Sequence, residues 1–198
     1  MTPRTAAASH ARALFPFATR TPVLVVPGLN DSAPGHWQSL WLERYREFER
    51  VVQEDFSTLV LGRWSAAVGR AIDAAGSPPL VIAHSFGCLA AVHAAVQPGR
   101  RVAAVMLVAP TDPDRFGVRP QLSRRPLPFP TTLAASTDDP WIKLVKAGAL
   151  ASQWGSTFVA FTNAGHINVE SGHGDWPAGF ALLRDLAERA AAKPVAVN

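Results

Sequence analysis

Short unbroken apolar runs recur along the chain at Val23 to Val26, Leu80 to Ala83, Val102 to Ala109, Thr131 to Ala135 and Thr157 to Phe161, with a shorter one at Arg50 to Val52. Each has the length of a strand. The lack of polar alternation within them means that both faces are buried, as in a parallel sheet. Between them apolar residues return at helical spacing: Trp37, Leu40, Trp41 and Tyr45; Trp64, Val68 and Ile72; Leu89, Val92 and Val96; Ile142, Val145 and Leu150. A last helix is predicted to start at Pro177, with Asp175 near its cap, and to run through Phe180, Leu183, Leu186 and Ala190. Strand and helix alternate throughout. The alternation predicts an α/β fold: a mainly parallel sheet of about six strands, right-handed crossovers, helices on both faces and ligands at the carboxyl ends of the strands. The segment Pro110 to Pro130 breaks the pattern, since it holds six of the 17 prolines together with Arg115, Arg119, Arg124 and Arg125. It reads as an extended loop over the sheet edge.

At 198 residues the chain has room for one large core and no separate lid. The expected organisation is an N-terminal arm over 1–20, a single domain over 21–192 and a tail over 193–198. A composition of 48% hydrophobic and 17% charged residues is globular, and no run approaches the ~20 apolar residues of a membrane-spanning helix. The net charge of +4 suggests a polyanion partner only until the charges are located. Arg4, Arg12 and Arg20 stand in the acid-free arm, leaving 16 basic and 15 acidic residues beyond it. With no basic stripe and no RNA-binding aromatic signature, nucleic acid and membrane partners are set aside. A small-molecule substrate is expected, with a protein partner left open. The single cysteine, Cys88, excludes an intrachain disulfide and a multi-cysteine zinc site, and a reducing cytoplasm is the expected compartment.

Chemistry concentrates at the end of the second long apolar run. Leu80-Val81-Ile82-Ala83-His84-Ser85-Phe86-Gly87 is a buried strand ending in a small-x-Ser-x-Gly turn, followed at once by the helical run Cys88 to Val96. Small residues flanking the serine allow a sharp strand-to-helix turn, which lifts the hydroxyl above the sheet and aims the Phe86 N–H at an oxyanion. The competing reading is an ordinary N-cap serine. A nucleophilic serine of this kind needs an acid and a histidine later in the chain, in that order. Asp138-Asp139-Pro140 follows the fourth long run, with Asp139 54 residues beyond Ser85, and His166 follows the last run another 27 residues on. All three positions thus fall on loops at one edge of the predicted sheet. The roles this spacing implies are Ser85 as nucleophile, His166 as general base and then acid, and an aspartate orienting the imidazole. Asp139 before proline is equally a good helix N-cap, and Asp138 competes with it.

Other histidines have plainer readings. His84 points to the opposite face from its neighbour Ser85 and is read as a packing or hydrogen-bonding neighbour; His173 is read as a solvated loop residue, and His10 and His93 as surface or structural. His166 and His173 lack metal-ligand spacing, so neither a metal nor a cofactor is expected. The first strand ends in Pro27-Gly28-Leu29-Asn30, a turn able to set the Leu29 N–H beside that of Phe86 as a second oxyanion donor. His36 and Trp37 beyond it are read as packing at a helix start. Asn30, together with Phe116 and Phe129 of the proline-rich loop, supplies the candidate substrate contacts. Leu122 and Leu127 are further apolar candidates.

The motifs Pro27-Gly28-x-Asn30-x-Ser32-x-Pro34-x-His36-Trp37-Gln38-x-x-Trp41, Ala83-His84-Ser85-Phe86-Gly87, Leu127-Pro128-Phe129-Pro130, Ala135-Ser136-Thr137-Asp138-Asp139-Pro140 and Gly165-His166-Ile167-Asn168 resemble the small YdeN-like serine hydrolases. These are relatives of retinoblastoma-binding protein nine within the α/β-hydrolase superfamily. The resemblance covers roughly residues 22 to 190. It implies a minimal α/β-hydrolase fold without a cap domain and favours Asp139, the aspartate directly before proline, as the acid. Leu29 departs from the tryptophan or small residue of that pattern. The expected activity is cleavage of a small carboxylic ester, or an amide, through an acyl-enzyme. A protein-binding scaffold with a vestigial site and an acyltransferase are the alternatives, and a shallow site preferring short acyl groups is the expected consequence of the loop.

Overall fold

Six parallel strands form one sheet: β1 (Val23–Val26), β2 (Phe48–Arg50), β3 (Leu80–His84), β4 (Ala104–Val108), β5 (Thr131–Ser136) and β6 (Thr157–Phe161), in the order β2-β1-β3-β4-β5-β6. The coordinates are a computed structural model that describes residues 21–192; the N-terminal arm with His10, and the tail, lie outside the described residues. The helices are α1 (Trp37–Arg44), α2 (Leu61–Ala74), α3 (Phe86–Ala95), α4 (Leu144–Trp154) and α5 (Pro177–Ala192).

The four inner strands read as continuous apolar runs because consecutive residues enter two different cores, whereas the edge strands β2 and β6 are largely exposed or half-buried, so the run at Thr157 to Phe161 is not buried on both faces. Leu24, Val26, Val81, Ala83, Val105, Leu107, Leu133 and Ala135 pack under α2, α3 and α4. Val23, Val25, Leu80, Ile82, Ala104, Met106, Val108 and Ala134 face α1 and α5. Helix α3 lies so deep that nine of its ten residues are buried. Among the described residues no helix is long and apolar enough to cross a membrane.

Several boundaries and one cap differ from the pattern. Strand β2 comes two residues earlier than Arg50 to Val52, although Val51 N–H still donates to Val25 at 2.8 Å and prolongs the pairing. The run at Val102 forms strand only from Ala104. Asp175 spends its carboxylate on Arg44, with two contacts of 2.9 Å, instead of on the start of α5.

The proline-rich segment contains two short 3₁₀ turns, Pro113–Phe116 and Arg119–Gln121. It substitutes for a crossover helix. Parallel neighbours must be joined across the whole length of the sheet, so only its first half stays at the carboxyl edge; the second half descends to the amino edge, where Leu127 N–H meets the Trp154 carbonyl at 2.9 Å. Val118, Leu122 and Leu127 are buried in the core on the way. The chain leaves β1 toward β2 on one side and returns to β3 on the other, so the order reverses between β1 and β3. An open α/β sheet places its ligand crevice at the carboxyl ends flanking such a reversal.

Candidate active site

Ser85 stands between β3 and α3 with φ 57° and ψ −129°, a backbone state that a non-glycine residue holds only when its surroundings impose it. The surroundings are close backbone. A Cβ on Gly87 would lie 2.3 Å from the Pro27 carbonyl oxygen, and one on Gly28 would lie 2.7 Å from Ser85 Cβ and 3.3 Å from its Oγ. Both glycines are therefore needed where β1 and the β3–α3 turn touch. Ser85 N–H donates to Val108 at 3.0 Å, which fastens the turn to β4.

His166, on the loop between β6 and α5, places Nε2 2.9 Å from Ser85 Oγ, and its Nδ1 lies 3.0 Å from both carboxylate oxygens of Asp139. The Asp139 side chain is fully buried and that of His166 is 9% exposed. A carboxylate only accepts, so the hydrogen-bond network assigns the imidazole proton to Nδ1 and leaves Nε2 free to accept from the serine hydroxyl. Asp139 also accepts from Trp141 N–H at 2.8 Å. Asp138 has a different place: it accepts from Ser136 Oγ at 2.6 Å and from Gly165 N–H at 2.8 Å, and both hold it below the usual carboxylate range. Ser136 Oγ in turn accepts from Ala164 N–H at 2.8 Å. The Asp138–Ser136 pair thus clamps the histidine loop to the end of β5.

Two further bonds hold that loop from below. His84 Nε2 donates to the His166 carbonyl at 2.9 Å, and Trp37 Nε1 donates to Ile167 at 2.9 Å. Ile167 has φ 47°, costly for a β-branched residue, and these contacts maintain it. His84 and His36 are buried with ring centroids 4.9 Å apart. Burial, then the neighbouring His166, Arg50 and His173, lower His36 to about 4. Burial likewise pushes His84 well below its ordinary value, so both rings are neutral. His36 caps α1 by accepting from Gln38 N–H at 3.2 Å, and Trp37 is fully buried. His93 bonds Ser65 Oγ at 2.7 Å, and half-buried His173 lies beside Ser171.

The Gly28 contact sets the Leu29 peptide beside Ser85, and Phe86 follows Ser85 directly. Among the described residues neither N–H enters a turn or loop hydrogen bond. Asn30 is exposed at φ 61°, on the same turn. Phe116 is half-buried and meets Phe86 edge-on at 5.3 Å. Phe129 is not brought to the site: it precedes β5, at the amino edge, and packs against the core there, as do Leu122 and Leu127. The loop-closing parts of His84, Ser136, Asp138 and Trp37 were not evident from spacing; the motifs containing these residues were the available signal.

A parallel sheet with this order, a strained serine at its reversal and an imidazole between that serine and a buried carboxylate define the class as an α/β hydrolase. Residues 23–185 match the family model described as "Serine hydrolase", and the chain belongs to that family. It is similar to a crystal structure of a YdeN-like hydrolase from Pectobacterium atrosepticum SCRI1043, with 36% identity, 91% of this chain and 98% of that one covered, and a TM-score of 0.86. The ydeN gene product of B. subtilis shares the fold at 16% identity, with 85% of this chain and 99% of that one covered and a TM-score of 0.66. So does a thermophilic esterase from Thermogutta terrifontis, solved with propionate bound, at 14% identity, with 89% and 86% covered and a TM-score of 0.62. No curated protein matches the chain. The protein is a hydrolase enzyme of the serine type.

Proposed function

We propose that the protein hydrolyses small carboxylic esters through an acyl-enzyme on Ser85. The observation that carries this reading is the unbroken relay from Ser85 Oγ through Nε2 at 2.9 Å to Nδ1 and the Asp139 carboxylate at 3.0 Å. His166 Nε2 removes the hydroxyl proton as Oγ attacks the acyl carbon, and Asp139 stabilises the resulting imidazolium and fixes its tautomer. The carbonyl oxygen becomes an oxyanion facing the Leu29 and Phe86 N–H groups, preorganised donors whose individual loss typically costs several kcal/mol of barrier. Nε2–H then protonates the leaving oxygen, the C–O bond breaks, and water repeats the cycle to release the acid. Half-buried Phe116, backed by the fully buried Phe86 ring, offers the acyl group an apolar wall, while Phe129 lies at the amino edge just before β5 and Leu122 and Leu127 are buried in the core. Short acyl chains fit such a site, because each added methylene left in water forgoes ~0.8 kcal/mol. A p-nitrophenyl ester series from acetate to palmitate tests this: kcat/KM is expected to peak at short chains in the native protein and to vanish in Ser85→Ala. A rise through the longest chains contradicts the shallow site, and activity retained by Ser85→Ala contradicts the nucleophile.

A further inference from the structure

The four arginines of the β4–β5 connection are held in different ways. Arg119 Nε lies 2.5 Å from Asp114, and Lys146 Nζ lies 2.5 Å from Asp112 and 3.1 Å from Asp114, so these two acids are matched by two cations. Arg124 and Arg125 are exposed beside Ser123, whose carbonyl accepts from Trp154 Nε1 at 3.0 Å on the descending half of the connection. Arg115 stands at the carboxyl edge. Its guanidinium carbon sits 5.0 Å from the centroid of the Trp141 ring and its Nη1 donates to the Pro140 carbonyl at 3.0 Å. Among the described residues no carboxylate pairs with it. Trp141 is 5.8 Å from the His166 ring. An uncompensated cation is therefore propped one aromatic ring beyond the imidazole, with its remaining N–H groups open and its orientation set by stacking.

The chemistry gives that position a direction. Nε2–H must deliver its proton to the leaving oxygen, so the leaving group lies on the imidazole side of Ser85, away from the Leu29 and Phe86 donors. A substituent on the leaving alcohol that reaches past the imidazole meets Trp141, whose ring lies 5.8 Å from that of His166. Resting on the Ser85 reading above, we propose that Arg115 on Trp141 forms a subsite for an anionic group carried by the leaving alcohol, making acidic esters the favoured substrates. The bonds made and broken are those of ordinary ester hydrolysis, and the anionic substituent leaves unchanged on the alcohol.

The test compares phenyl acetate with para-carboxyphenyl acetate, identical in acyl group and differing by one carboxylate on the leaving side. In Arg115→Gln the ratio of kcat/KM for the acidic over the neutral ester is expected to fall about tenfold, chiefly through KM, as for loss of one partly exposed charge-assisted contact. In Arg125→Gln the ratio is expected to stay at the native value. Added salt is expected to reduce the native ratio and not that of Arg115→Gln. A ratio unmoved by Arg115→Gln, or no cleavage of the acidic ester by a native protein that cleaves phenyl acetate, overturns the subsite alone. A native protein that cleaves neither ester overturns the Ser85 reading and the subsite with it.

Discussion

Asp138 and Asp139 are adjacent in the chain and face different tasks. Asp139 meets the imidazole, whereas Asp138 ties Gly165 and Ser136 together. Asp139→Asn is accordingly expected to lower kcat on the order of a thousandfold or more, because the amide favours the wrong tautomer and leaves the imidazolium unsupported. Asp138→Asn is expected to act less severely, loosening the histidine loop. Steady-state kinetics of the two folded variants check this, and a reversed order reassigns the acid. A second residue-scale prediction concerns the buried imidazoles. His36 titrates at about 4 in the folded protein against about 6.5 when free. Between those values the unfolded chain binds a proton that the folded one refuses, so stability is complete above pH ~6.5 and is lost as pH falls toward 4, by on the order of 3 kcal/mol from His36. His84 acts in the same direction. Urea midpoints are expected to fall between pH 7.5 and pH 4.5, and His36→Asn, which keeps the capping acceptor without the titration, is expected to flatten the profile. A native profile already flat over that range contradicts the buried neutral pair.

The elements are built around two contacts too close for a side chain. At Gly87 an added Cβ would meet the Pro27 carbonyl oxygen at 2.3 Å, backbone against backbone, so Gly87→Ala is expected to cost several kcal/mol and lower Tm by many degrees. At Gly28 the obstacle is Ser85 itself, at 2.7 Å, so Gly28→Ala is expected to reduce kcat by more than its change in Tm explains. Thermal melts paired with kinetics separate the two, and a fully active Gly28→Ala contradicts the packing of β1 against the serine turn. The sequence revealed these elements well where burial on both faces left unbroken apolar runs, as in Val23–Val26 and Ala104–Val108; Thr157–Phe161 also forms its strand, but at the sheet edge, where its residues are exposed or half-buried rather than buried on both faces. It was misleading where tertiary pairing set the ends: Phe48–Arg50 pairs with β1 although the apolar pair Val51 and Val52 follows it. Ser85, His166 and the aspartate pair were readable from their order along the chain. Phe129 was misplaced because a run of prolines shows that a segment is extended, but not which end of the sheet it has reached.

At the scale of the molecule, three segments far apart in sequence converge on one edge. The β3–α3 turn brings Ser85, the loop after β5 brings Asp139 and the loop after β6 brings His166, while the end of β1 brings Leu29 at the point where strand order reverses. The histidine loop is then held by Asp138 just after β5, His84 from β3 and Trp37 from α1. On the proposed reading, such convergence prepares the Ser85 hydroxyl to act as a nucleophile. Reaction of the native protein with a fluorophosphonate, followed by peptide mapping, measures that directly. One equivalent of label on Ser85, lost in a folded Ser85→Ala variant and strongly slowed in His166→Ala, is the predicted result; label on another residue, or none on the folded native protein, would contradict it.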